Sequence, residues 1–191
     1  MTEAFWTQRR VLVTGGAGFI GSHVVEKLVG LGAEVTVLDN FYNGREENLF
    51  SVRDRVRILR GDGTLLADAV PACEGQQVVL NLAARVGGIE YNRTHQGTML
   101  RDNLLLGTVV LEAARLEGVE RFLVVSSACV YPKDCMVPTP ESEGFEGEPE
   151  PTNGGYGWAK RMAEIAARYS AEEFGMQVGI VRPYNAYGPR D

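Results

Sequence analysis

The stretch Arg10-Val-Leu-Val-Thr-Gly-Gly-Ala-Gly-Phe-Ile-Gly21 decides the fold. It begins with an apolar run, and an apolar pattern of helical length follows it from Phe19 to Leu31. Gly15, Gly18 and Gly21 between them let the backbone turn sharply and approach a pyrophosphate closely. The helix that begins there offers unpaired N–H groups and the positive end of its dipole. The stretch therefore predicts a dinucleotide-binding strand, turn and helix, with a purely structural glycine turn as the alternative.

Apolar segments of strand length alternate with helical patterns along the whole chain, which is typical of a parallel sheet covered on both faces. We expect an α/β fold, a Rossmann-like doubly wound parallel sheet with helices on both faces, in one domain over residues 1–191. The predicted strands are 10–14, 34–38, 56–60, 78–82, 122–126 and 177–181, and the predicted helices are 19–30, 65–70, 98–117 and 157–173. Segments 85–96 and 132–155 are predicted loops, and loops this long are usually functional or mobile.

Composition excludes several classes of function. The net charge of −6 and the isoelectric point near 5.1 argue against a nucleic-acid-binding surface. No apolar run approaches the roughly 18 residues that span a membrane, and the first ten residues lack the core of a signal peptide. Cys73, Cys129 and Cys135 have no CxxC or metal-site spacing. We therefore expect a reduced, cytoplasmic protein without a metal site.

Asp39 ends the second predicted strand, at about 20 residues from the glycine turn. A carboxylate at that point accepts hydrogen bonds from the adenosine ribose and repels a 2′-phosphate. Because no Arg or Lys follows until Arg45, NAD is favoured over NADP. A plain strand-ending cap is the alternative, and the neighbouring Asn40 fits either interpretation. Asp62, after the third strand, is a candidate for holding the adenine amino group, which its position alone does not decide.

Tyr156 and Lys160 lie four residues apart at the start of the last predicted helix, so they share one helical face. The lysine charge is expected to lower the tyrosine pKa from about 10, which suits a general acid/base near neutrality. The lysine can also bind the nicotinamide ribose, and Ser127 after the fifth strand can polarise a carbonyl group. This spacing also occurs by chance in amphipathic helices, but here it follows a cofactor turn at the expected place in the fold.

Several motifs together resemble the extended short-chain dehydrogenases/reductases that act on nucleotide sugars. They are Thr14-Gly-Gly-Ala-Gly-Phe-Ile-Gly21, Asn81-Leu-Ala-Ala84, Ser126-Ser127, Tyr156-x-x-x-Lys160 and Arg182-Pro-Tyr-Asn-Ala-Tyr-Gly-Pro189. The resemblance runs the whole length of the chain and implies a catalytic triad of Ser127, Tyr156 and Lys160. Asn103 resembles the position whose backbone or side chain steadies the lysine through water, and Asn185 resembles the asparagine that touches the substrate diphosphate. The NAD-binding residues that it implies are Gly15, Gly18, Phe19, Ile20, Gly21, Asp39, Asn40, Asp62, Ala83, Asn103 and Lys160.

Three segments are more similar to GDP-mannose 3,5-epimerases and GDP-fucose synthases than to UDP-galactose 4-epimerases. They are Val86-Gly-Gly-Ile89, Ser127-Ala-Cys-Val-Tyr-Pro-Lys133 and Glu150-Pro-Thr-Asn153. The resemblance implies that Cys129 transfers protons at carbons 3 and 5 once hydride transfer has made a 4-keto sugar. A small buried residue behind Ser127 is the alternative for this cysteine. The substrate contacts that it implies are Val86, Gly87, Gly88, Ser127 and Asn185.

Two departures from the resemblance bear on function. The pattern of residues 39–45 is that of NAD-using 4-epimerases, which favours an epimerase over a net reductase. The chain ends at Asp191, where relatives continue into a smaller substrate-binding lobe, so we expect the cofactor half without that lobe. The main hypothesis is an NAD-dependent nucleotide-sugar epimerase, or its cofactor-binding part. The alternatives are a reductase of the GDP-fucose synthase type, a non-catalytic NAD-binding module and a simple interaction protein. Helices 98–117 and 157–173 pair two subunits in relatives, so a homodimer is expected.

Overall fold

A six-stranded parallel sheet forms the centre of the computed structural model, which describes residues 3–191. Its strand order is β3-β2-β1-β4-β5-β6. The strands are β1 (Arg10–Thr14), β2 (Glu34–Asp39), β3 (Val56–Arg60), β4 (Val78–Asn81), β5 (Arg121–Val125) and β6 (Gln177–Val181). The helices are α1 (Phe19–Gly30), α2 (Leu66–Cys73), α3 (Ile89–Thr94), α4 (Gln96–Leu116) and α5 (Gly154–Phe174). Short 3-10 helices cover Glu3–Phe5, Glu46–Arg55, Ala128–Val130, Glu141–Phe145 and Pro151–Asn153.

The central strand β1 explains where a ligand can bind. It pairs with β2 on one side and with β4 on the other, and its Val11, Leu12 and Val13 are completely buried. The strand order reverses between β1 and β4, and such a reversal leaves a crevice at the carboxyl ends of the strands. The glycine turn after β1 therefore opens into this crevice.

Helices cover both faces of the sheet. One buried cluster joins α1 and the Glu46–Arg55 segment to Val11, Val13 and Val37. A second cluster joins α2, α4 and α5 to the opposite face, with Leu12 and Phe122 at its centre. The predicted Rossmann-like doubly wound sheet is confirmed. Among the described residues, no helix combines the length and the apolar character that crossing a bilayer requires.

The structure corrects the predicted helices in three places. The predicted loop 85–96 contains α3, a helix of six residues that begins with the exposed Ile89. Because it is short and its apolar residue is exposed, the sequence shows no apolar periodicity there. Helix α2 continues past Pro71 because Ala72 and Cys73 are buried against the sheet. Helix α5 begins at residue 154 rather than 157, since Gln96 of α4 accepts a hydrogen bond from the Gly155 N–H. This contact between helices is invisible in a local pattern.

Candidate cofactor and active site

The glycine turn after β1 has room only for glycine at its critical positions. Gly15 has a φ of +66°, and a Cβ atom on it would lie 2.9 Å from the Cα of Ala83. A Cβ on Gly21 would overlap the carbonyl oxygen of Gly15. Gly18, in an extended conformation, is the N-cap of α1 and has no side chain to occupy the N–H groups of the first turn. These N–H groups are therefore available to an anionic ligand.

A cleft of about 920 Å³ lies at the carboxyl ends of the first four strands. Its lining includes ten of the predicted site residues, Gly15, Gly18, Phe19, Ile20, Gly21, Asp39, Asn40, Asp62, Ala83 and Val86. It also includes residues that the sequence did not single out, among them Tyr42, Thr64, Arg85, Arg101, Asp102 and Arg190. Asn103 and Lys160 are not part of this lining, but Val125, to which Lys160 is hydrogen-bonded, is. The cleft therefore extends to the end of β5.

Asp39 connects the glycine turn to the loop after β2. One carboxylate oxygen accepts from the backbone N–H of Ala17 at 2.9 Å, and the other accepts from that of Phe41 at 2.8 Å. A Cβ on Gly44 would lie 2.9 Å from the same carboxylate. Asp39 is therefore both a brace for the turn and part of the cleft wall, so the two interpretations of this residue are compatible.

Asp62, after β3, also lines the cleft and is held by its neighbours. Its Oδ1 accepts from the backbone N–H and the hydroxyl of Thr64, at 2.9 and 2.8 Å. Its Oδ2 accepts a longer hydrogen bond, 3.4 Å, from Asn40. Burial opposes ionisation, but these hydrogen bonds outweigh it and leave the pKa of Asp62 below its ordinary value. The carboxylate is thus a fixed acceptor at neutral pH.

Lys160 on α5 is buried at the end of β5. Its Nζ atom donates to the carbonyl oxygen of Val125 at 2.8 Å and lies 5.5 Å from the ring centroid of Tyr156. Burial lowers the pKa of Lys160 from 10.5 to about 8. The predicted face that Lys160 shares with Tyr156 is therefore present.

The expected effect of Lys160 on the pKa of Tyr156 is wrong for the protein alone. Burial raises the pKa of Tyr156 well above its ordinary value, and the nearby thiol of Cys129 raises it further. The nearby Ser127 side chain is the group that lowers it. Desolvation of the phenol is the largest influence, and the Lys160 ammonium is already engaged by the Val125 carbonyl.

Ser127 and Cys129 lie on a tight turn against the start of α5. Ser127 caps the 3-10 helix Ala128–Val130, where its hydroxyl accepts from the Cys129 N–H at 3.1 Å. The carbonyl oxygen of Cys129 occupies the space that a Cβ of Gly157 would need. The thiol is free and half-buried, and its charge would act on both Tyr156 and Lys160. The structure thus brings together all four predicted catalytic residues.

Asn103 does not contact Lys160 through its side chain. Its amide oxygen accepts from the backbone N–H of Arg85 at 2.9 Å, and its amide nitrogen donates to the carbonyl oxygens of Arg85 and Met99. The amide is therefore occupied in holding the loop that follows β4. The expected role beside the lysine is left to the backbone of Asn103.

Only some of the predicted substrate-binding residues lie at the cleft. Val86 lines the cleft, whereas Gly87 and Gly88 are exposed beyond it. Asn185 is exposed on the segment after β6 and does not line the cleft.

Arg85, next to Val86 in the chain, donates to the hydroxyls of Tyr42 and Tyr91, each at 3.0 Å. The arginine was not singled out because a single basic residue in a predicted loop gives no local signal.

A buried ionic network behind Ser127 was also missed. The fully buried Glu164 of α5 accepts from the Ser126 hydroxyl at 2.5 Å and from Arg182 at 2.8 and 2.7 Å. Arg161 donates twice to the carbonyl oxygen of Val130, at 2.8 and 2.6 Å. Arg161 and Glu164 follow Lys160 by one and four residues, and charged residues in a helix usually lie on its solvent face. Only the fold reveals that both are buried. Within residues 3–191, no cluster of acidic, histidine and cysteine side chains is arranged to hold a metal ion.

The sheet, the glycine turn and the Tyr156–Lys160 pair define a dinucleotide-binding protein of the extended short-chain dehydrogenase/reductase class. Residues 11–191 match the model of the NAD dependent epimerase/dehydratase family, and the chain belongs to this family.

Relatives in this family carry out different reactions. The chain is 30% identical to GDP-mannose 3,5-epimerase 1 of Oryza sativa subsp. japonica over 98% of its own length and 50% of the relative. It is 34% identical to dTDP-4-dehydro-6-deoxy-D-allose reductase of Streptomyces bikiniensis, over 100% and 60% of the two chains. The solved UDP-glucose 4-epimerase of Thermotoga maritima with UDP-glucose superposes with a TM-score of 0.84 at 32% identity, covering 95% and 57%. The chain thus spans about half the length of the relatives it matches.

Proposed function

We propose that this chain is the NAD-binding domain of a nucleotide-sugar epimerase that oxidises its substrate transiently at C4. The observation that carries the proposal is the cluster of Ser127, Tyr156 and Lys160 at the end of β5, where Val125 lines the cleft. The turn fits NAD, because Gly15 and Gly21 leave a cradle that a Cβ would fill. Asp39 favours NAD over NADP, since its buried carboxylate would repel a 2′-phosphate.

In this proposal the side chains divide the chemistry between them. Bound NAD would supply the hydride acceptor and donor. Tyr156 would take the proton of the sugar 4-hydroxyl and return it, while Ser127 would hold the same oxygen. Lys160 would hold the nicotinamide ribose and favour the phenolate once a ligand draws the ammonium from the Val125 carbonyl.

The test has two stages, both with the 191-residue chain. Calorimetric titration with NAD and NADP measures cofactor binding, for which we expect a clear preference for NAD. The NAD-loaded chain is then mixed with UDP-glucose, UDP-galactose or GDP-mannose, and epimer formation is followed by NMR. Tyr156→Phe should keep NAD binding and lose turnover. A chain that binds neither cofactor would overturn the proposal, and turnover that survives in Tyr156→Phe would overturn the assignment of the general acid/base.

A second candidate is epimerisation at C3 and C5, or the related epimerisation with reduction by a GDP-fucose synthase type of enzyme. It is favoured by the position of the free Cys129 thiol next to Tyr156 and Lys160. A thiolate there can remove an acidic proton beside a 4-keto group and return it. GDP-mannose incubated in deuterated water should gain deuterium at C3 and C5 with the parent chain and not with Cys129→Ala. Undiminished exchange in that variant would exclude the thiol.

We further propose a homodimer through α4 and α5, in the cytoplasm, where the three free cysteines stay reduced. Exposed apolar side chains on these helices, among them Leu116, Tyr169 and Phe174, support the pairing. Tyr169→Asp should give monomers in sedimentation velocity. Phe50→Asp, at an equally exposed aromatic residue away from both helices, is the control and should leave the dimer intact. A parent chain that sediments as a monomer would contradict the proposal.

A further inference from the structure

Helix α5 holds the end of β5 through two side chains one turn apart. Lys160 donates to the Val125 carbonyl at 2.8 Å, and Glu164 accepts from the hydroxyl of Ser126 at 2.5 Å. Side chains four residues apart on a helix lie on the same face, so Val125 and Ser126 at the end of β5 both contact one face of α5. The next residue along the chain is Ser127.

The other side of the Ser127 turn is held by the same helix. Arg161 is almost completely buried, and it donates twice to the carbonyl oxygen of Val130 and once to that of Gly147. Ser127 and Cys129 therefore lie between two anchors that α5 provides, at Ser126 and at Val130. The helix that carries Tyr156 thus also fixes the turn that faces this tyrosine.

The carboxylate of Glu164 also connects α5 and the end of β5 to the segment that follows β6. Arg182, after β6, binds both of its oxygens, at 2.8 and 2.7 Å, and also donates to the hydroxyl of Tyr131 at 3.0 Å. Arg168 adds a longer contact of 3.3 Å. Burial alone would raise the pKa of Glu164, but Arg182 and Ser126 lower it, so the group is a carboxylate. An anion held on both oxygens is a rigid acceptor.

We infer that Glu164 is a positioning residue, whose hydrogen bond from Ser126 holds the adjacent Ser127 turn beside Tyr156 at the start of α5. The inference rests on the proposed function, because Ser127 and Tyr156 are the groups that it positions. The carboxylate itself is not a catalytic residue, since it is enclosed by α5, Ser126 and the arginines and does not line the cleft.

Two single variants remove the same hydrogen bond from opposite ends. Ser126→Ala leaves the pair of Glu164 and Arg182 intact, whereas Glu164→Asp keeps the charge and shortens its reach. Thr36→Val is the control, because it removes a different buried hydroxyl that takes part in one hydrogen bond. The Thr36 hydroxyl accepts it from Gln76 in a remote part of the sheet. NAD affinity and thermal melting report on the fold of each variant. If Glu164→Asp does not fold, Ser126→Ala still tests the inference.

The readout is the pKa of Tyr156, followed by 19F NMR after 3-fluorotyrosine labelling. The chain has seven tyrosines, and Tyr156→Phe identifies the resonance. The charged or titratable groups that face this phenol are Cys129 and Lys160, which the variants leave unchanged. Displacement of the Ser127 turn should raise the pKa of fluorotyrosine 156 by about 0.5 to 1 unit in both variants, because Ser127 is the group that lowers this pKa. The double variant should show the same rise as either single one, because both changes break one hydrogen bond.

An unchanged pKa in Ser126→Ala, with NAD binding retained, would overturn the inference and leave Glu164 a structural role only. A rise in Thr36→Val would also overturn it, because the effect would then follow from general loosening. The NMR titration needs no substrate, so it separates the two proposals. A parent chain that fails to bind NAD but shows the predicted rise contradicts the proposed function alone. Where turnover is found, Ser126→Ala should lower kcat about fivefold with little change in KM.

Discussion

The carbonyl oxygen of Cys129 lies against the α-carbon of Gly157, in the space that any larger residue would fill with its side chain. This contact lets the Ser127–Cys129 turn rest directly on the first turn of α5, next to Tyr156. The distance between the turn and the helix is therefore set by the absence of a side chain at position 157.

Gly157→Ala should move the Cys129 turn away from α5. The added methyl group overlaps backbone, so we expect a loss of about 1 to 3 kcal/mol in the free energy of unfolding, measured in urea. The rate of Cys129 modification by a disulfide reagent should rise as the turn lifts. Gly30→Ala is the control, since nothing lies within 4 Å of a Cβ there. Equal effects of the two substitutions would contradict the crowding argument.

Gly15→Ala should abolish NAD binding beyond what backbone strain explains. Gly15 and Gly75 have nearly the same positive φ, +66° and +69°, but only Gly15 is crowded by Ala83. Alanine at either site costs about 1 to 2 kcal/mol of stability from the left-handed backbone. Calorimetric titration should show at least a roughly tenfold loss of NAD affinity for Gly15→Ala alone. A similar loss in Gly75→Ala would mean that strain, not the cradle, is responsible.

Asp39→Ala should reduce the preference for NAD over NADP. The carboxylate that would repel the 2′-phosphate is removed, and the backbone N–H groups of Ala17 and Phe41 lose their acceptor. We expect the NAD affinity to fall about tenfold, while that for NADP falls less. Titration with both cofactors measures the ratio. An unchanged ratio would leave Asp39 as a brace for the glycine turn only.

Stability should rise with pH between about 8 and 10.5 because of Lys160. Its pKa is about 8 in the folded chain and 10.5 ordinarily, so in this range the unfolded chain binds the extra proton. The contribution is complete above 10.5 and is lost as the pH falls through 8. Relative to Lys160→Met, the parent should gain about 3 kcal/mol across the range, measured by urea unfolding at each pH. Lys27→Met, at an exposed lysine of α1, should follow the parent.

Most strands were predictable because the centre of a parallel sheet is buried on both faces. The central strands β1, β2 and β4 are short runs of mostly apolar or β-branched residues, and such runs can be recognised without any knowledge of their neighbours. The glycine turn and Asp39 were predictable for a related reason, since their positions relative to β1 and β2 follow from the order of the chain. The structure agrees with all six strands to within one residue at each end.

What the sequence could not supply is pairing between distant side chains. Glu164 and Arg182 are 18 residues apart on different elements, and each alone looks like a surface charge. Asn103 was assigned from a resemblance, but its amide is taken by the backbone of Arg85, 18 residues before it. The pKa of Tyr156 was misjudged for the same reason, because desolvation depends on the packed surroundings rather than on one neighbour.

The strand order has a consequence for synthesis of the chain. β1, β2 and β3 are neighbours in the sheet, so half of it can pair while the ribosome is still making the rest. The edge of β1 that faces away from β2 stays unpaired until β4 is made. Asn81 of β4 then accepts a hydrogen bond from Thr14, 67 residues earlier in the chain. An apolar edge left open for that time invites pairing with other nascent chains. Chains stalled with residue 60 just outside the exit tunnel should therefore aggregate more than chains stalled with residue 125 outside it.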